Sequence, residues 1–301
     1  MSFPAGQHYV PEMLQKRFVD EDGMLWAFDK RAPHRGIWRS KPKGVFKERH
    51  LYTVAGPDGS PSPLIERALG QLESAADPII TRVVEQARAG KSVNLHEDER
   101  RLLILFLYFQ NKRCPEFFRS IPIGQSMDVV VEDAIRAFEA KNGPMPEAER
   151  TAHLSPTGLQ AMEQDMRMEA LLTISPRVVG ALDARGITIA VIPRADRRFV
   201  LSSLPIARFI SRRGREDLHD PESEMWLPLA PDVALSSYGR RGDDRTVHIQ
   251  DDRPIRQVNT SLARFSQVVA SSSLDLVRSL TRRWASSASP LHSPRSNDDR
   301  T

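Results

Sequence analysis

A small set of side chains in this sequence could do chemistry. His8 precedes Tyr-Val-Pro close to the start. An imidazole there could serve as a general base or a metal ligand at neutral pH, or could be a hydrogen-bonded residue that ties down the chain terminus. Glu66 and Glu73 stand seven residues apart in a stretch of helical periodicity, two turns along one face. Paired carboxylates could hold a divalent cation or share acid–base work; the alternative is a solvated or ion-paired couple, with Arg113 as a partner. Arg113 follows an apolar run and precedes Cys114-Pro115. Its guanidinium could clamp a phosphate or carboxylate, or interact with the C-terminal carbonyls of its own helix. Glu48 and His50 alternate about Arg49, so on a strand both would face one side. That gives two metal ligands where a zinc site wants three or four. No His-Glu-x-x-His, Gly-x-Ser-x-Gly or phosphate-loop pattern occurs, so the reaction, the metal and any cofactor stay open.

Charge supplies a second kind of candidate. Between Lys30 and Arg49 the chain carries Lys30, Arg31, Arg35, Arg39, Lys41, Lys43, Lys47 and Arg49 against Glu48 alone, with Trp38 and Phe46 interleaved. Arg35, Trp38, Arg39, Lys41 and Lys43 could follow a phosphate backbone with a base stacked on the indole, or meet an acidic protein partner. The plainer alternative is a solvated hairpin face whose tryptophan packs inward. A second cluster is formed by Arg208, Arg212, Arg213 and Arg215. The net charge of +4 is too small to add to this; it bears on solubility rather than function.

The elements that must position these groups can be read from turn residues and periodicity. A short helix is expected over 12–18, a strand over Leu25, Trp26 and Phe28 ending at Asp29, and a second strand from Ile37 and Trp38, together a hairpin or small meander. Residues 45–54 add an extended segment closed by the Gly56-Pro-Asp-Gly59 turn. Ser62 can cap a helix bearing Ile65, Leu69 and Leu72, and Pro78 starts or kinks the next, which Gly90 ends. Asn94 and Glu97 form a capping-box-like start to a helix reaching about Arg113, apolar nearly all round over 102–109 and therefore central; Pro115 stops it. Residues 127–140 and 159–172 read as helices. A hairpin follows, 187–192 with 199–201, then a strand over 226–235 that Pro228 and Pro231 push toward a sheet edge. Residues 240–252 look turn-like, and a last helix is expected from Asn259 to about Trp284.

The architecture expected is α+β: an N-terminal β-hairpin and later strands packed on a central helical group, closed by a C-terminal helix, as one domain over 1–284 with a disordered tail over 285–301. The hydrophobic content of 40% and charged content of 27% are those of a globular chain. The single cysteine, Cys114, excludes an intrachain disulfide framework and a cysteine-rich zinc site. Residues 1–7 lack the basic-then-apolar order of a secretory signal, and the longest apolar run, 102–109, falls far short of the roughly 20 residues of a membrane span. A cytoplasmic location without a membrane partner is expected.

Taken in order, His8-Tyr-Val-Pro11, Arg17-Phe18 and Gly23-Met-Leu25-Trp26-Ala-Phe28-Asp29 resemble the opening of domain-of-unknown-function family 4238, which is widespread in bacteria. The resemblance continues through Pro42-Lys43, Glu48 to Tyr52, Ile65-Glu66, Leu72-Glu73, Arg113-Cys-Pro115-Glu-Phe117, Trp226-Leu-Pro228-Leu-Ala-Pro231 and Asn259, and so covers roughly 7–271. It implies a fold and no known activity. One position departs: where the family shows Ser-Asp-x-Pro, this chain has Ser202-Ser203-Leu204-Pro205. Either the aspartate is a turn-former, or a member with serine has lost an activity.

Three classes of function follow: a binding or regulatory protein using the basic hairpin; a metal-dependent hydrolase or nuclease built from His8, Glu66 and Glu73, with Glu48 and His50; or a protein-interaction module without catalysis. The enzyme requires its polar groups to converge in one pocket. The binding protein requires its basic groups to share a face.

Overall fold

The computed structural model describes residues 6–55, 61–62, 64–120, 126–210, 218–220 and 222–285. The expected turn at 56–59, the cluster residues Arg212, Arg213 and Arg215, and the tail at 286–301 lie outside the described residues. The chain opens with β1 (Gly6–His8), α1 (Glu12–Gln15), β2 (Leu25–Asp29), β3 (Trp38–Ser40), β4 (Lys47–Arg49), β5 (Val54–Ala55) and β6 (Pro61–Ser62). A helical stretch follows: α2 (Leu64–Arg88), α3 (Glu97–Lys112), α4 (Pro115–Ser120), α5 (Met127–Asn142), α6 (Glu147–Leu154), α7 (Pro156–Leu172) and α8 (Pro176–Asp183). The remainder is β7 (Ile187–Val191), β8 (Leu201–Ser202), β9 (Ala207–Phe209), β10 (Glu224–Ala230), β11 (Val233–Ser237), β12 (Arg245–His248), α9 (Asp252–Phe265), β13 (Val268–Ser271) and α10 (Leu274–Ala285).

The protein is α+β, with strands at both ends of the chain and helices between. A four-stranded sheet runs β3-β2-β13-β8 and a five-stranded sheet runs β12-β7-β11-β10-β9. The first joins the two ends of the chain: β2 pairs antiparallel with β13, setting Phe28 against Val269 and Ala27 against Ala270. All four side chains are completely buried, as a strand needs when both of its faces are covered. Two apolar clusters result. One gathers the N-terminal aromatics, β13 and α9 around the four-stranded sheet. The other lies between α2, α3 and the five-stranded sheet.

α2 is one helix where a break was expected. Leu69, Ala76, Ile80, Val83, Val84 and Ala87 form one buried stripe along it. Pro78 sits inside, and the carbonyl of Asp77 beside it is braced by the Thr81 hydroxyl at 2.8 Å and by Arg17 at 3.4 Å. Ser62 does not cap this helix; it belongs to β6, paired with Val54. α3 starts two residues later than the Asn94–Glu97 pattern suggests, because the Glu99 carboxylate accepts the His96 backbone N–H at 2.9 Å. Pro115, which stops it, also opens α4, where a missing N–H costs nothing.

The later part departs further. Residues 187–192 and 199–201 do not form a hairpin. β7 pairs with β11 and, in parallel, with β12 inside the segment expected to be a turn. Leu201 pairs instead with Ala270 of β13. Asn259 of α9 holds this crossing between sheets, accepting from the Val200 N–H at 3.0 Å and donating to the Arg198 carbonyl at 2.9 Å. Residues 226–235 are two strands, β10 and β11. β10 lies inside the sheet, its one proline, Pro228, at a register shift that ends at Ala230, and Pro231 falls in the turn before β11. The single C-terminal helix is two, since the Val-Val-Ala-Ser run at 268–271 is taken up as a buried strand between them. Among the described residues no helix is long and apolar enough to cross a membrane.

Candidate functional site

The N-terminal residues and the end of α3 form a buried polar knot. β1 pairs with β4, placing Gln7 opposite Glu48 and His8 opposite Lys47. Tyr9 then donates its N–H to the Phe46 carbonyl at 3.0 Å and meets the Phe46 ring edge-on at 6.1 Å. Phe46 holds φ at 52°, a left-handed conformation that a side chain with a Cβ adopts only under constraint. Pro11 precedes α1, and Gln15 folds back to donate to the Val10 carbonyl at 2.8 Å. The His-x-x-Pro string is thus a folding signal: a strand residue, a buried tyrosine, and a proline that ends one element and opens the next.

Arg113 is the centre of the knot. It caps α3, its N–H donating to Phe109 at 3.0 Å, and its side chain is almost wholly buried. The guanidinium donates to Glu73 and, at 2.5 Å, to the His8 carbonyl. The Tyr52 hydroxyl donates to the Arg113 carbonyl at 2.5 Å, its ring lies 5.9 Å from the guanidinium, and its N–H donates to Gln7 Oε1 at 2.6 Å. Burial opposes the charge of Arg113, yet the Tyr52 and Glu73 oxygens hold it above the ordinary arginine range. Glu66, two turns before Glu73, hydrogen-bonds the Gln7 side chain. Burial pushes its carboxyl up, Arg113 draws it down and Glu73 adds to the rise. One Glu66 oxygen is buried without a hydrogen-bond partner among the described residues.

Of the candidates, Glu66, Glu73 and Arg113 meet, and His8 joins them through its carbonyl. Burial first, then neighbouring Lys47 and Arg113, hold the His8 imidazole below the ordinary histidine value, against Glu12 and a hydrogen bond with the Lys43 backbone. Glu48 and His50 do not make the strand edge that alternation suggests. β4 ends at Arg49, and His50 turns away at φ 55° and is exposed. Glu73 is ion-paired with Arg113, and Glu66 lies near enough to feel both charges. Among the described residues no group of three histidine, cysteine, aspartate or glutamate side chains could hold a metal. The knot fixes β1 to α2 and α3.

Three of its residues escaped the sequence reading. Gln7 and Tyr52 sit in strand-like stretches, and nothing in their spacing ties them to Arg113. Gln110 lies one turn before Arg113 on α3, fully buried, and neither of its amide atoms has a partner among the described residues. A glutamine closing an eight-residue apolar run was the available signal.

The raised Glu66 carboxyl makes a testable link to pH. A group whose pKa is higher in the folded state favours folding while protonated, and that contribution is lost as pH rises through the raised value. Glu66→Gln, neutral at every pH, is expected to melt above the parent at about pH 7, with the difference shrinking toward about pH 4 as the parent's glutamate protonates. Thermal melts across that range check it; a difference independent of pH would count against the assignment.

Ser203, the departing position, is hydrogen-bonded to the start of β13. Its hydroxyl donates to Glu116 and accepts the N–H groups of Gln267 at 2.9 Å and Val268 at 3.1 Å. Glu116 itself accepts the Gln267 N–H at 2.9 Å. The position therefore serves two backbone amides at the start of β13, which an aspartate could also accept, and Glu116 supplies a carboxylate at the same place.

The basic segment divides in two. Arg39 donates to Asp20 at 2.6 Å and to Asp22 at 2.5 Å and lies 5.5 Å from the Trp26 ring. Arg31 is held by Asp29 at 2.8 Å. Lys30 donates to the last carbonyls of α9, Ala263 and Arg264, and sits 3.8 Å over the Trp284 ring; burial, then neighbouring Arg283, push it down to about 8. Trp38 is partly buried and packs against the core. Arg39, though exposed, is taken up by two carboxylates. Arg35, Lys41, Lys43, Lys47 and Arg49 are exposed and have no ion-pair partner among the described residues.

Fold and knot together define an α+β protein whose N-terminus is locked by a buried arginine and two carboxylates, with unpaired cations outside. A family model described as a protein of unknown function (DUF4238) matches residues 6–273. The chain belongs to that family. No curated protein and no solved structure is detectably similar to it.

Proposed function

We propose that this protein binds nucleic acid through the outward basic groups of its N-terminal segment. One observation carries this: Arg35, Lys41, Lys43, Lys47 and Arg49 stay exposed without acidic partners among the described residues, while Lys30, Arg31 and Arg39 nearby are tied down. Unpaired surface cations are costly to gather, because like charges repel, and a phosphate backbone is a ligand that relieves the repulsion by releasing counterions. The hydrolase alternative has less support, since one of its two carboxylates, Glu73, is ion-paired with Arg113.

The test is fluorescence anisotropy with labelled single- and double-stranded oligonucleotides over a salt series. Affinity should fall linearly on a log–log plot against salt. Lys41→Gln/Lys43→Gln/Lys47→Gln should flatten the slope by about 2 for a single strand, at about 0.7 per lost phosphate contact. Absence of binding at low salt would overturn the proposal and turn the search to an acidic protein partner.

A further inference from the structure

α9 and α10 pack against each other and leave a groove of about 1140 Å³ between them. On the α9 wall Arg256, Thr260 and Arg264 recur every four residues, exposed on one face, a rise of about 6 Å per step. On the α10 wall stand Ser279, Arg282 and Arg283. The carboxylates lining the groove are all engaged by arginines: Asp196 by Arg194 and Arg197, Asp252 by those two and by Arg256 of the α9 wall itself, and Asp275 by Arg278. The far end is different. Arg264 and Arg283 make only ring contacts, with Phe265 at 5.4 Å and Trp284 at 3.9 Å, and no ion pair among the described residues. Lys30 lies over that same indole at 3.8 Å. Lys30 and Arg283, two like charges, therefore meet around one aromatic ring. The turn bearing Arg35 packs on α10, so this end adjoins the basic N-terminal segment.

We propose that the α9–α10 groove is a binding site for the phosphates of a single-stranded nucleic acid. This rests on the nucleic-acid reading above and adds a place and a strand class to it. Guanidinium groups and hydroxyls on both walls match phosphate oxygens, and steps along α9 repeat at an interval that an extended strand can follow. Packed helices stand about 8–10 Å apart, less than the roughly 12 Å width of the major groove of a duplex alone, so a duplex would ride over the walls. Arg264 and Arg283 also lie in the last turns of their helices, where a cation complements the helix dipole; the dipole needs the charge and places no demand on a bound strand.

The full chain, Arg264→Gln/Arg283→Gln and the charge-keeping Arg264→Lys/Arg283→Lys are titrated with a labelled single-stranded DNA, its RNA equivalent and a duplex. For single strands the glutamine variant should flatten the log–log salt slope by about 1.4 and bind about 25-fold more weakly at about 0.1 M salt, with the lysine variant close to the parent. Thermal melts establish that each variant is folded. Equal binding by parent and glutamine variant would overturn the groove and leave the basic segment standing. Tighter binding of duplex than of single strand, with the same loss on substitution, would overturn the strand class. A parent that binds neither would overturn both proposals. A lower melting temperature with unchanged binding would assign the two arginines to the helix dipoles alone.

Discussion

Arg113→Met is expected to lower the free energy of unfolding by about 3–5 kcal/mol, the usual cost of removing one partner of a buried charged pair. Glu73 would lose its guanidinium and the His8 carbonyl its donor, leaving both in a poorly hydrated site. The loss should fall on the N-terminus first, because the Arg113 side chain joins α3 to β1 and α2 at once. Denaturant titration measures the size, and hydrogen exchange the place. Arg113→Met/Glu73→Leu, which removes the orphaned charge, should recover part of the loss. A double variant no better than the single would mean that Glu73 contributes little and that the His8 carbonyl is the partner that matters.

The second large effect is expected at Arg100→Met. This arginine is buried on α3; its Nη1 donates to both Asp244 oxygens at 2.9 and 2.8 Å, and its Nη2 to the carbonyls of Asp183, at 3.3 Å, and Arg185. Asp244 also accepts the Ile187 N–H at 2.7 Å. One residue thus joins α3, the end of α8 and the entry to β7. About 2–4 kcal/mol should be lost, the lower end applying because Asp244 is partly exposed and can be solvated. Asp244→Asn should cost less, since an amide still accepts from Arg100 and Ile187. If the two variants prove equally destabilised, the charge of the pair matters more than its hydrogen bonds.

What the sequence made legible follows from what its patterns encode. Periodicity identifies elements that bury a regular face, so the central helix, the helices near 127–142 and 156–172, and the strand at Leu25–Asp29 were readable. The pairing of the chain's two β-rich ends was open to suspicion but not derivable. The missed elements have tertiary causes. Val268–Ser271 reads as helix until its place between β2 and β8 requires a strand, and β12 is too polar to be recognised until β7 lies beside it. At the site, the spacing of Glu66 and Glu73 gave their common face and Arg113 could be named as a partner, whereas its bond to the His8 carbonyl depends on how β1 packs against α3. The basic run was visible as charge. Which of its members are neutralised depends on Asp20, Asp22 and Asp29 closing back on it, a matter of turn geometry.

The pairing of β2 with β13 also governs how the protein can be made. Asp29 faces Val268 across the ladder, so the interior partner of β2 is synthesised roughly 240 residues later. At about 5–20 residues per second, a ribosome needs some ten to fifty seconds to cover that distance. Throughout that time Leu25, Ala27 and Phe28, all completely buried in the finished protein, have no β13 to lie against. The nascent chain is then exposed to mispairing or to capture by a chaperone, and the four-stranded sheet is completed only when the last stretch of the folded body leaves the exit tunnel.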